Sequence, residues 1–186
     1  CINLVGILYE SKNNSFKNIH VNFPNIISRI SKKNKLKQFI HVSALGIEAA
    51  KDSKYALSKL EGEKVVISNF PNATILKPSI IYSVDDNFTT NLMSLINVMP
   101  FFPLYYNGET KFSPMHVSEI AEIILKIVEN NISSEIIECV GPEEISFKEI
   151  LEKLLFSIGK SRFLIPFPLF AAKSIAYFLQ KLPKPL

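Results

Sequence analysis

Short apolar runs alternate with longer amphipathic stretches through the first half of the chain. Residues 1–7 and 38–43 are apolar runs closed by Gly6 and Gly46, and 73–78 is another, stopped by Pro78. Runs of this length predict buried strands. Between them, 16–33 and 53–69 carry apolar residues at the spacing of one helix face. Asp52 or Ser53 can cap the second helix, and Pro24 should start or kink the first. Strands and helices in alternation predict parallel strands joined by crossover helices.

After Ser83 the pattern changes. Asp85 or Asp86 can cap a helix running to about Val98, and Pro100-Phe-Phe-Pro-Leu-Tyr-Tyr-Asn-Gly108 reads as an aromatic loop. Such a loop packs a lobe onto the core or lines a substrate or partner groove. Residues 110–113 read as a short strand. A helix over 116–129 would face Ile120, Ile123, Ile124 and Ile127 to the core, with a strand at 136–140 after it. Ser146-Phe-Lys-Glu149 is a capping box opening a further helix. Pro168 would start a last helix near 168–181, with an apolar face for the core, for another subunit, or for a membrane surface beside Lys173, Lys181 and Lys184. The expected division is a Rossmann-like half over 1–83 and a small, mostly helical lobe over 84–186, from which 114–140 returns to the sheet.

The residues richest in chemistry are Tyr55 and Lys59, in Ser53-Lys-Tyr-Ala-Leu-Ser-Lys59. Four-residue spacing puts both on one helical face. An ammonium beside a phenol favours phenolate, so the tyrosine's pKa is expected to fall toward working pH, as proton exchange with a substrate hydroxyl requires. Ser43 sits at the carboxyl end of a predicted strand, where ligands bind in open α/β sheets.

Asn3-Leu-Val-Gly6, His41-Val-Ser43-Ala-Leu-Gly46, Tyr55-x-x-x-Lys59, Lys77-Pro-Ser-Ile-Ile-Tyr82, Pro114-Met-His-Val-Ser-Glu-Ile-Ala121 and Gly141-Pro-Glu-Glu144 follow one another along the chain. In that order they resemble the short-chain dehydrogenase/reductase superfamily, in its extended or atypical, epimerase-like branch. Val42-Ser-Ala-Leu-Gly46, Asp86-Asn-Phe88 and Gln180-Lys-Leu-Pro-Lys-Pro-Leu186 resemble most the nucleotide-binding accessory subunit of respiratory complex I and its bacterial relatives. The resemblance implies a Rossmann-like doubly wound parallel sheet and a bound NAD or NADP. It makes Tyr55 the acid/base, Lys59 its partner and a holder of the nicotinamide ribose hydroxyls, and Ser43 the group that polarises a substrate oxygen. Val5 and Gly6 would lie against the ribose, and Pro78, Ser79 and Ile80 against the carboxamide. Asn22 resembles a helix asparagine that many members place behind the active site, or is a polar residue near a kink.

Two functions follow from the resemblance. One is a nucleotide-binding protein of the complex I accessory type, its nucleotide held for structure or assembly. The other is an active nucleotide-sugar epimerase, dehydratase or reductase. Against catalysis, Val42 and Ala44 flank a single hydroxyl where epimerases carry several, and Ser118-Glu119 stands where the family has an aspartate pair. The glycine-rich turn a pyrophosphate needs is absent, and Cys1 already lies in a predicted strand, so the chain reads as a piece lacking its first strands.

Composition narrows the partners. A net charge of +4 is mild, and Lys32-Lys-Asn-Lys-Leu-Lys37 reads as a solvated helix end, so no nucleic acid is expected. His20, His41 and His116 lack ligand spacing and the two cysteines are far apart, so no metal is expected. With no apolar run of membrane-spanning length, a cytoplasmic or mitochondrial-matrix site is expected, with peripheral association at a respiratory membrane.

Overall fold

The computed structural model describes residues 1–168, so the expected helix near 168–181 and the closing Pro-rich phrase lie outside the described residues. The elements follow in the order β1 (Ile2–Asn3), a π-helical turn (Lys17–Asn22), α1 (Phe23–Lys33), β2 (Ile40–Val42), α2 (Lys54–Asn69), β3 (Thr74–Pro78), β4 (Ile81–Tyr82) and α3 (Asn87–Val98). Then come β5 (Phe101–Tyr105), a 3-10 turn, β6 (Lys111–Phe112), β7 (Met115–His116), α4 (Val117–Glu129), β8 (Ile136–Cys139), β9 (Ile145–Ser146), α5 (Phe147–Ser157) and β10 (Phe163–Phe167).

The chain forms two compact units. The first comprises Cys1–Ile81 and Met115–Gly141, and the second Tyr82–Pro114 with the chain from Pro142 onward. In the first, β1, β2, β3 and β8 make a parallel sheet in that order. Successive strand residues point to opposite faces, and the core divides accordingly. Ile75 packs with Phe39, Val66, Phe70, Ala73 and Ile27 on the α1–α2 face. Its neighbour Leu76 packs with Ile40, Cys139, Ile120 and Ile127 on the α4 face. Each such side chain, fully buried, contributes roughly 1.5–3 kcal/mol, so both faces of the sheet need their helices. This is the expected α/β fold with a parallel, partial Rossmann-like sheet.

The second unit has its own core of Ile96, Phe102, Leu104, Leu151 and Leu155. Here the stretch read as an aromatic loop is the strand β5, paired in parallel with β10 in a two-stranded ribbon. Phe102 and Leu104 alternate inward while Phe101 and Tyr105 stay exposed. Pro103 and Pro166 fit because both strands of a two-stranded ribbon are edges, where a missing N–H is tolerated. Among the described residues of this unit, α3 and α5 stand beside β5, β6, β9 and β10.

Pro24 shapes the first helix. It has no N–H and its ring crowds the carbonyl four residues earlier, that of His20. The chain widens there into a π turn, with the Phe23 N–H bonded to the Asn18 carbonyl, before α1 continues.

Candidate functional site

The site is built on α2. Ser53 caps the helix by accepting from the Ala56 N–H at 3.3 Å. Tyr55, Lys59 and Glu63 then fall at four-residue intervals along one side. Gly62 lets this helix cross the π turn at close range, since a Cβ built there would lie 2.1 Å from the His20 carbonyl oxygen.

Lys59 is buried, and its Nζ donates to the Val42 carbonyl at 3.1 Å. A Cβ on Gly6 would sit in ordinary contact, 3.4 Å from the same Nζ, which places the ammonium against the end of β1. Burial pushes the Lys59 ammonium down to about 8, against the pull of Glu63. Tyr55 is half-buried, its ring edge-on to His20 at 5.4 Å and to Phe16 at 5.9 Å. Burial raises the phenol's pKa rather than lowering it. The expected depression by Lys59 is therefore corrected: the amine leans toward Val42 and Gly6, and desolvation of the ring governs the phenol.

Two histidines complete the surroundings. His20 Nε2 accepts the Ile7 N–H at 3.1 Å, so its proton is on Nδ1, donated to Ser58 Oγ at 2.8 Å. Ser58 Oγ in turn donates to the Tyr55 carbonyl at 2.7 Å. Asn3 Oδ1 accepts the Val5 N–H at 3.2 Å, which fixes the amide and turns Nδ2 to donate to His41 Nδ1 at 2.9 Å. His41 therefore carries its proton on Nε2, a buried atom without a hydrogen-bond partner among the described residues. Both rings are kept neutral, His20 down to about 4 and His41 to about 3, by burial first and then by the Lys59 charge.

Ser43 is buried and donates its hydroxyl to Glu63. Glu63 also pairs with Lys77 at 3.1 Å, and Lys77 reaches Glu48 as well. Burial works against the Lys77 ammonium, and the two carboxylates outweigh it, leaving its pKa raised. The Pro78 carbonyl accepts from Leu45 N–H at 2.9 Å, Ser79 N–H donates to Cys139 at 2.9 Å, and the Ile80 carbonyl accepts from Met115 N–H at 2.9 Å. The strand tips at Ser43 and Pro78 are thus laced together beyond the strands themselves.

Lys59 lies against Gly6, Tyr55 stands one turn earlier on α2 against His20, and Ser43 faces the Glu63–Lys77 pair. Asn22 is exposed and bonded to Asn18 at 3.0 Å, whereas His20, two residues earlier, is the buried helix residue beside Tyr55. His20 and His41 carry no spacing signal that marks them. The register of β1 with β2, which pairs Asn3 with His41, and the π turn, which carries His20, place them. Among the described residues no group of three or more His, Cys, Asp or Glu side chains could hold a metal ion.

This parallel sheet, with a Tyr–Lys helix behind its strand tips, defines a chain with the fold of the extended, epimerase-like short-chain dehydrogenase/reductases. UDP-glucuronic acid 4-epimerase from Bacillus cereus, in complex with NAD, superposes with a TM-score of 0.71 at 21% identity, over 88% of this chain and 61% of that one. In sequence the chain is similar to subunits of respiratory complex I. It is 31% identical over 181 residues to the mitochondrial NADH-ubiquinone oxidoreductase 40 kDa subunit of Neurospora crassa, covering 96% of this chain and 47% of that protein. It is 33% identical over 155 residues to the mitochondrial NADH dehydrogenase [ubiquinone] 1 alpha subcomplex subunit 9 of Dictyostelium discoideum, covering 83% and 43%. The chain thus spans a little under half the length of these relatives. No protein-family model matches it.

Proposed function

We propose that the protein is a NAD(P)-binding subunit of the complex I accessory type, holding its nucleotide for fold stability or assembly rather than for turnover. One observation carries this reading: the Ser43 hydroxyl donates its single proton to Glu63, so it cannot donate to a substrate oxygen. Ala44, the next residue, has no hydroxyl to take its place. The raised phenol of Tyr55 supports the same reading.

The residues present fit the nicotinamide half of a nucleotide. Gly6 leaves open the space a Cβ would fill beside Lys59, an ammonium suited to ribose hydroxyls. By the resemblance, Lys59 and Tyr55 would hold the ribose, Val5 and Gly6 would flank it, and Pro78, Ser79 and Ile80 would meet the carboxamide. Nicotinamide, when bound, supplies hydride chemistry. Nucleotide at a hundred times its Kd would add about 2.7 kcal/mol of stability by linkage. The expected setting is the peripheral part of complex I, in the mitochondrial matrix or the cytoplasm, and among the described residues no helix is long and apolar enough to cross a membrane.

The test is purification of the natural full-length protein, acid release and quantification of its nucleotide, then assay with nucleotide sugars. The reading expects retained NAD or NADP and no substrate-dependent change in nicotinamide absorbance. Turnover abolished by Tyr55→Phe would establish the epimerase or reductase instead.

A further inference from the structure

The segment Val5–Ile7 follows β1, with Gly6 against the Lys59 amine. Two hydrogen bonds hold it, one at each end. At Val5 the N–H is taken by Asn3, whose amide is in turn fixed by His41 on the neighbouring strand. At Ile7 the N–H is taken by His20 on the π turn, whose other nitrogen is fixed by Ser58 on α2. Between these points lies Gly6, against the Lys59 amine. Each histidine must present a lone pair in one direction, and each ring's other nitrogen bears the proton.

We infer that His20 and His41 are positioning residues that clamp Val5–Ile7 against Lys59 and so set how tightly the nicotinamide half of a nucleotide is held. The inference rests on the nucleotide site proposed above. A protonated His20 would turn a donor toward the Ile7 N–H, with Lys59 and the Tyr55 ring the other titratable groups against it. A protonated His41 would face the Asn3 amide donor beside Lys59 and His20. Each imidazole acts on this segment through its lone pair, His20 toward the Ile7 N–H and His41 toward the Asn3 amide. His20 also lies flat on Phe16, with ring centroids 5.3 Å apart, which fixes its plane and aims Nε2 at Ile7. The lone N–H of His41, at Nε2, faces the Gly62 side of α2, 3.8 Å from where a Cβ would stand.

The experiment uses the full-length protein and two variants, His20→Phe and His20→Gln. Phenylalanine keeps the stack on Phe16 and loses both hydrogen bonds. Glutamine can accept from Ile7 and donate to Ser58. Amide exchange at Ile7 and the dissociation constant for NAD are both measured. We expect His20→Phe to lose Ile7 protection and weaken NAD about tenfold, the scale of one good hydrogen bond, and His20→Gln to restore most of both. A His20→Phe protein that melts earlier yet keeps Ile7 protection and NAD affinity overturns the inference, as does glutamine failing to rescue. If the wild type retains no NAD, the proposed function and the affinity half of this inference fall together. Ile7 exchange still decides the clamp in that case. Should His20→Phe not fold, nitrogen-15 spectra of the wild-type imidazoles decide it: the proton on Nδ1 of His20 and on Nε2 of His41 supports the clamp, and either opposite tautomer overturns it.

Discussion

Gly62→Ala sets two physical effects against each other with opposite signs. Gly62 lies inside α2, where alanine is favoured over glycine by about 1 kcal/mol of helix propensity. On propensity alone the substitution stabilises. The geometry says otherwise, because the new Cβ would sit 2.1 Å from the His20 carbonyl oxygen and 3.3 Å from its carbon. Those are backbone atoms, so no rotamer change relieves the contact. The helix would have to retreat by about an ångström from the π turn to reach ordinary contact, opening the packing around His20 and Ser58. Overpacking of this kind typically costs 1–3 kcal/mol, and a backbone obstacle belongs at the upper end. The expected net is a loss of about 2 kcal/mol, or roughly 4–8 °C in Tm for a chain of this size. Urea unfolding of both proteins at pH 7 reads it directly. An alanine variant as stable as wild type, or more so, would refute the close crossing and the placement of His20 and Lys59 that depends on it.

Acid should weaken the fold before its carboxylates titrate. Above the ordinary histidine value of 6.5, His20 is neutral folded or unfolded and its contribution is complete; as pH falls toward its folded value of about 4, the unfolded chain takes the proton first. That gap of about 2.5 units corresponds to roughly 3 kcal/mol lost across the window from pH 6.5 to 4, with His41 adding in the same direction. Denaturation midpoints measured through that range should fall steadily in wild type and less in His20→Gln; equal slopes would count against a neutral, buried His20. Lys77→Met should cost about 3–5 kcal/mol, because it leaves the buried Glu63 carboxylate with the Ser43 hydroxyl but without its ion-pair partner, and adding Glu63→Gln should recover much of it. Equilibrium unfolding of the single and double variants checks this, and additive losses would argue against the pair.

Much of this arrangement was legible in the sequence, and the remainder was not for definite reasons. The strands at Ile40 and Thr74, the Ser53 and Ser146 caps and the helix carrying Tyr55 and Lys59 are local signals, read from spacing and capping chemistry. The β5–β10 pairing joins Phe101 to Phe163 across sixty residues, and prolines in both strands hide it from any local rule. In the site, Lys59 beside Gly6 follows from helix phase and strand order. His20 does not, because Pro24 inserts a π turn that moves the phase of everything before it, and the expected Asn22 rotates out to solvent. Ser43 ends its strand, and its hydroxyl is held by Glu63, twenty residues on and itself paired with Lys77, which no local pattern reveals.

On the function proposed above, Tyr55, Lys59 and Gly6 would form one wall of a nicotinamide pocket. The most direct measurement is the nucleotide bound per mole of natural full-length protein, with Lys59→Met alongside. Near-stoichiometric NAD or NADP is expected in wild type, with a deep loss in Lys59→Met that leaves the far-ultraviolet circular dichroism unchanged. Equal nucleotide content in the two proteins, or none in a folded wild type, would contradict it.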